Sequence, residues 1–83
     1  MKILYFAGLR QRIGVGEEEI EPPPEIVDVA ALIGWLRRRG PEFAEALADT
    51  SAIRIAVDQE FAAMDTSLAG AREVALFPPM TGG

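Results

Sequence analysis

One stretch limits the possible folds more than any other. Val29, Leu32, Ile33 and Leu36 fall at i, i+3, i+4 and i+7, a single apolar stripe along one face of a helix. Asp28 precedes the stripe as an N-cap residue. Arg37, Arg38 and Arg39 fill the last turn, where positive charge complements the helix macrodipole, and Gly40-Pro41 stops it. Gly34 sits inside this helix at a cost of up to about 1 kcal/mol against alanine, which points to close packing on a sheet. No second stretch offers a convincing helix of this length.

Most of the remainder reads as strands. Ile3 to Ala7 is an unbroken apolar run, expected as a buried central strand that ends at Gly8. Gly14 and Gly16 mark residues 8–16 as a connection. Glu17 to Glu21 reads as a polar second strand, with three consecutive glutamates that suit an exposed edge. Pro22-Pro23-Pro24 ends it, since proline cannot donate to a ladder. Pro41 fits the first position of a short second helix, with Phe43 and Leu47 on one face. After a turn around Asp49-Thr50-Ser51, Ile53, Ile55 and Val57 alternate with Arg54, Ala56 and Asp58, the period of a strand with one buried face. Asp58-Gln59-Glu60 reads as a turn, Phe61 to Met64 as a short return strand, and Glu73 to Phe77 as the last strand. One helix with four to five strands predicts an α+β fold, a mixed sheet with the helix across one face. First and last strands placed side by side and parallel in the middle would make it a ubiquitin-like β-grasp. A ferredoxin-like fold needs two long helices.

Composition removes several chemistries. The 83 residues contain no cysteine and no histidine, so disulfides, thiolate nucleophiles, the usual zinc sites and imidazole catalysis are all excluded. A domain of this size has difficulty enclosing a pocket of several hundred Å³. The net charge of −5 argues against a nucleic-acid partner, and the arginine triplet is better spent on the helix end. Of the thirteen acidic residues, those between Glu17 and Asp28 form a cluster. It suits either a solvated edge or a surface that steers a basic partner. Asp58 and Glu60 fit a solvated turn better than a catalytic pair. No apolar run approaches the roughly 20 residues of a membrane span, and Met1-Lys2 leads straight into the first strand without a signal-peptide pattern. A cytoplasmic protein with no membrane partner is expected.

The chain finishes Phe77-Pro78-Pro79-Met80-Thr81-Gly82-Gly83. Val74 and Leu76 share the core face of the last strand, so Phe77 takes the opposite face. Residues 1–77 form the expected globular domain and 78–83 an extended tail. Pro78 and Pro79 hold the chain extended, and Gly82-Gly83 is slim enough to thread a narrow channel. Six extended residues reach roughly 20 Å. A frayed end is the plain alternative. The functional one is a carrier: adenylation would turn the Gly83 carboxylate into a mixed anhydride, and a sulfur nucleophile would convert that into a thiocarboxylate. A partner must supply the activating groups.

Four segments, "KILYFAGLR", "VAALIGWLRRRG", "IAVDQEF" and "EVALFPPMTGG", resemble the small subunit of molybdopterin synthase, the sulfur carrier of molybdenum cofactor biosynthesis. The likeness runs along nearly the whole chain, and the Phe-Pro-Pro approach to a Gly-Gly end is its specific part. It implies a β-grasp fold and a heterotetramer with two large subunits. It implies that Gly83 carries the sulfur, and that Pro78, Pro79, Met80, Thr81 and Gly82 enter the large subunit's active site. Phe6, Phe61 and Phe77 match the family's partner contacts. An E1-like adenylating enzyme would use ATP with Mg, and sulfur would pass to the pterin precursor, cyclic pyranopterin monophosphate. The chain itself would bind no cofactor and catalyse nothing alone. Asp58 stands where relatives often carry asparagine, and Met80 and Thr81 depart from the commoner tail residues. Carriers for thiazole synthesis or transfer RNA thiolation share the fold and the Gly-Gly end. A plain protein-binding β-grasp module is the rival of a different class.

Overall fold

The computed structural model describes residues 1–79. The elements run β1 (Lys2–Tyr5), α1 (Ala7–Ile13), β2 (Glu17–Glu19), α2 (Val29–Arg37), α3 (Pro41–Ala46), a 3-10 turn (Thr50–Ala52), β3 (Arg54–Val57), β4 (Glu60–Ala62) and β5 (Glu73–Phe77). The five strands form one sheet in the order β2-β1-β5-β3-β4. β1 and β5 are parallel neighbours in its middle, and the other pairings are antiparallel. This is the β-grasp arrangement, α+β, with the charged strand β2 at one edge.

Helix α2 supplies the core. Val29, Leu32, Ile33 and Leu36 are all at most 2% exposed and pack with Ile3, Tyr5, Ile55, Val74 and Leu76 of the sheet. The Asp28 Oδ1 accepts from the Ala31 N–H at 2.8 Å and caps the helix. Pro41 opens α3, which brings Phe43 and Leu47 into the same core.

Residues 8–16 are not a plain connection. Leu9 and Ile13, one helical turn apart, bury themselves under α1, and Gly14, at φ +96°, is its left-handed C-cap. The Gly14 N–H donates to the Arg10 carbonyl at 2.8 Å, so a glycine that suggested a loop is the end of a helix. The first strand accordingly stops at Tyr5, and Ala7 turns the chain at φ +51°. Gly34 needs correcting too. A Cβ built there would meet nothing within 4 Å, so it marks no close approach to the sheet. The return strand ends at Ala62 rather than Met64, because the Ala63 N–H donates to Thr66 Oγ1 (2.9 Å) and its carbonyl accepts from the Thr66 N–H (3.1 Å).

Arg39 does more than complement a helix end. Its guanidinium grips Glu18 on strand β2 with two bonds of 2.7 and 2.9 Å, and lies 4.9 Å from the Phe43 ring centre and 5.5 Å from that of Trp35. The Tyr5 hydroxyl donates to the same carboxylate at 2.7 Å. The Arg39 bond holds the Glu18 carboxyl below its ordinary pKa, with the Tyr5 bond adding to it. Burial, then the bond to Glu18, pushes the Tyr5 hydroxyl well up, so it stays a donor. This knot ties edge strand β2 to the far end of α2. No helix among the described residues is long and apolar enough to cross a membrane.

Candidate functional site at the root of the tail

The β1–β5 register places Tyr5 beside Leu76, and the Phe6 N–H donates to the Leu76 carbonyl at 3.1 Å. The next residue of each chain is a phenylalanine. Phe6 meets Phe77 edge-on, with ring centres 6.5 Å apart and planes at 84°. Phe61 on β4 approaches Phe77 from the other side, with centres 6.0 Å apart. Phe6 is 47% exposed and Phe61 84% exposed, so neither is core. Between them the register sets Leu4, Ala75, Ala56 and Phe61 in one row across four strands. Alanines at the two central positions leave a shallow apolar floor under the flanking rings.

Exposed aromatic rings over a small-residue floor are costly to leave in water and cheap to cover, which is how a docking surface looks. The structure thus brings the three phenylalanines expected as partner contacts into one cluster at the point where the tail leaves β5. Pro78 is exposed and Pro79 half-buried just beyond it. Met80, Thr81, Gly82 and Gly83 lie outside the described residues.

Arg54 also belongs to this place, and sequence reasoning treated it only as an alternating strand residue. It is the register partner of Phe77, and its Nη1 donates to the Ser51 and Ile53 carbonyls at 3.2 and 3.4 Å. Its parity with Ala56 was readable; its nearness to the tail needed the β3–β5 pairing.

Asp58 has a different task. Its Oδ1 accepts the Arg72 and Glu73 N–H groups at 2.9 and 3.0 Å, while its own N–H donates to the Glu73 carbonyl at 2.9 Å. Asp58 and Gln59 both have positive φ, 49° and 71°, the conformation of a tight hairpin. Asp58 therefore pins the β3–β4 turn to the start of β5. No charged residue is buried, and no cluster of three potential metal ligands occurs, among the described residues.

A five-stranded mixed sheet with β1 and β5 parallel in its middle and helix α2 across one face defines the ubiquitin-like β-grasp class. The chain belongs to the ThiS family of β-grasp sulfur carriers, whose family model matches residues 3–83. Over its full length it is 34% identical to the molybdopterin synthase sulfur carrier subunit of Escherichia coli (strain K12), matching 99% of that protein. It is 29% identical to the protein of the same name in Haemophilus influenzae, again over 100% of this chain and 99% of the relative. Among solved structures it is similar to SAMP1 from Haloferax volcanii, with a TM-score of 0.75, 25% identity and coverage of 100% and 98% of the two chains.

Proposed function

We propose that this chain is the sulfur carrier subunit of molybdopterin synthase, acting in the cytoplasm. The observation that carries the reading is the Phe6–Phe77–Phe61 cluster at the root of a side-chain-poor tail. The full-length likeness to two molybdopterin synthase sulfur carrier subunits supports the choice of pathway.

In this reading a Gly83 carboxylate oxygen attacks the α-phosphorus of ATP, held with Mg by an E1-like adenylating enzyme, and pyrophosphate leaves. Hydrosulfide, the sulfur donor's sulfur at the sulfide level, then attacks the Gly83 carbonyl carbon, expels AMP and gives up its proton, leaving a thiocarboxylate. The tail, Pro78 to Gly83, enters the active site of a large subunit; the thiocarboxylate sulfur bonds to a carbon of cyclic pyranopterin monophosphate, and water then cleaves the Gly83 C–S bond and restores the carboxylate. Each dithiolene takes two sulfurs, so carriers leave spent and are recharged. The working assembly is a heterotetramer of two small and two large subunits. This chain contributes reach and docking surface, and the partners contribute the catalytic groups.

The likeness to SAMP1 leaves the pathway open, and the second reading is the same tail chemistry serving another acceptor, in thiazole synthesis or transfer RNA thiolation. The test is the intact mass of the chain after incubation with an adenylating enzyme, ATP and a sulfur donor. Replacement of one oxygen by sulfur at Gly83 is expected, and deleting Gly82-Gly83 should abolish it without unfolding the domain. Turnover of the pterin precursor with the large subunit then separates the two pathways. An unchanged mass, with a control carrier charged by the same mixture, would point to a different cognate adenylating enzyme or to a plain protein-binding β-grasp module.

A further inference from the structure

Strands β3 and β4 part early. Their pairing ends at Ile55 and Ala62, and Ala63 turns away into its bonds with Thr66. The separation opens a groove of ≈ 550 Å³ lined by Ile53, Arg54, Phe61, Met64, Phe77 and Pro79, among others. Its wall is mostly apolar with one cation, Arg54. That guanidinium spends Nη1 on two backbone carbonyls, which fixes it in place and leaves its remaining donors for a ligand. Among the described residues, no carboxylate forms an ion pair with Arg54.

We propose that in the carrier free of partners this groove binds the chain's own last residues, with the Met80 side chain in its apolar part and the Gly83 carboxylate on Arg54. Pro79 already stands on the rim of the groove, so the tail enters it without a detour. Pro78 and Pro79 have no N–H with which to extend β5 along β3, and the ladder ends at Phe77. The four residues from Met80 to Gly83 reach roughly 13 Å. Arg54 is the register partner of Phe77, within that span once the tail doubles back. Gly82-Gly83 is able to make that reversal at no steric cost. Methionine is the side chain best suited to an irregular apolar groove. Charge agrees as well: the terminus of a chain carrying net −5 meets a cation beside its own root. A docked tail is sheltered until a partner displaces it, and the displacement uncovers Phe61 and Phe77 for that partner. The inference goes beyond the proposed function and holds for any pathway the carrier serves.

The experiment is methyl and amide NMR on the full chain and on a chain ending at Pro79, both without partner, ATP or sulfur donor. The Ile53 and Met64 methyl resonances and the Arg54 Nε–H are expected to shift on truncation, while resonances on α2 stay in place and report an intact fold. Arg54→Gln in the full chain should lower the heteronuclear NOE of the Gly82 and Gly83 amides towards coil values. Unchanged Ile53 and Met64 methyls would overturn the docking. An unaltered NOE in Arg54→Gln would overturn the ion pair. Shifts that grow with protein concentration would give the groove to a second copy. Groove shifts seen only on adding an adenylating enzyme would give it to that partner. Either result overturns the proposal. Because the mass assay needs charging and this one does not, failure here leaves the carrier reading standing.

Discussion

The Phe77 ring stands edge-on to Phe6, centres 6.5 Å apart, on the sheet face turned away from helix α2. β1 ends at Tyr5, paired with Leu76 of its parallel neighbour β5, and a phenylalanine follows each of these core residues: Phe6 at the entry to α1 and Phe77 at the end of β5. Phe77 is only half-buried, and its ring neighbours are more exposed still. Phe77→Ala should therefore cost the fold about 1–2 kcal/mol, well below the roughly 3–5 kcal/mol typical of a core phenylalanine. Binding to the large subunit should weaken at least about tenfold, as for a central aromatic anchor. Chemical denaturation beside a titration of the complex checks both. Collapse of the fold would show Phe77 to be core.

The Glu18 knot gives the molecule an acid-sensitive edge. Arg39, first, and Tyr5 lower the folded-state pKa of the Glu18 carboxyl. A depressed carboxylate pKa means stability that is present above the unfolded value, about 4.3, and is lost as pH falls through the folded value. Glu18→Gln removes the charged half of the pair and should cost about 1–2 kcal/mol at pH 7. The gap in melting temperature between wild type and variant should close as the pH falls below about 4. A gap that persists at pH 2 would remove the ionised carboxylate from the account.

Much of the fold was legible because local and global preferences agree. The Val29–Leu32–Ile33–Leu36 stripe, the Asp28 cap and the parity of Phe77 are each fixed by short-range rules and stand where those rules put them, and the polar strand lies at the sheet edge as expected, though it ends at Glu19 rather than Glu21. Helix α1 was not legible. Its stripe is two residues long, Leu9 and Ile13, and a helix of one to two turns is held by tertiary burial rather than by its own propensity. The contacts of Arg39 and Arg54 were not legible for a related reason. Their partners, Glu18 and the tail root, lie far away in sequence and become neighbours only when the strands pair.

Asp58 separates a structural carboxylate from a catalytic one. Asp58→Ala removes the acceptor of two backbone N–H groups and leaves an alanine at φ +49°, where it is strained. A loss of about 2–3 kcal/mol is expected from the unpaired amides and the backbone together. Sulfur charging per folded molecule should be unchanged. Urea unfolding and the mass assay measure the two effects on one sample, and charging lost from a fully folded variant would return Asp58 to the chemistry.

Gly34→Ala runs in the opposite direction. A glycine inside a helix costs up to about 1 kcal/mol against alanine unless something needs its missing side chain. Here nothing does: an added Cβ meets no atom within 4 Å, and the backbone is ordinary helix. The substitution should raise stability by about 0.5–1 kcal/mol, a few degrees in melting temperature for a domain of this length. Neither sulfur charging nor the NMR signature of the groove should respond, because α2 lies across the sheet from both. A variant that melts earlier would mean that the outer face of α2 is covered in solution, and Gly34 would then mark the surface where that happens.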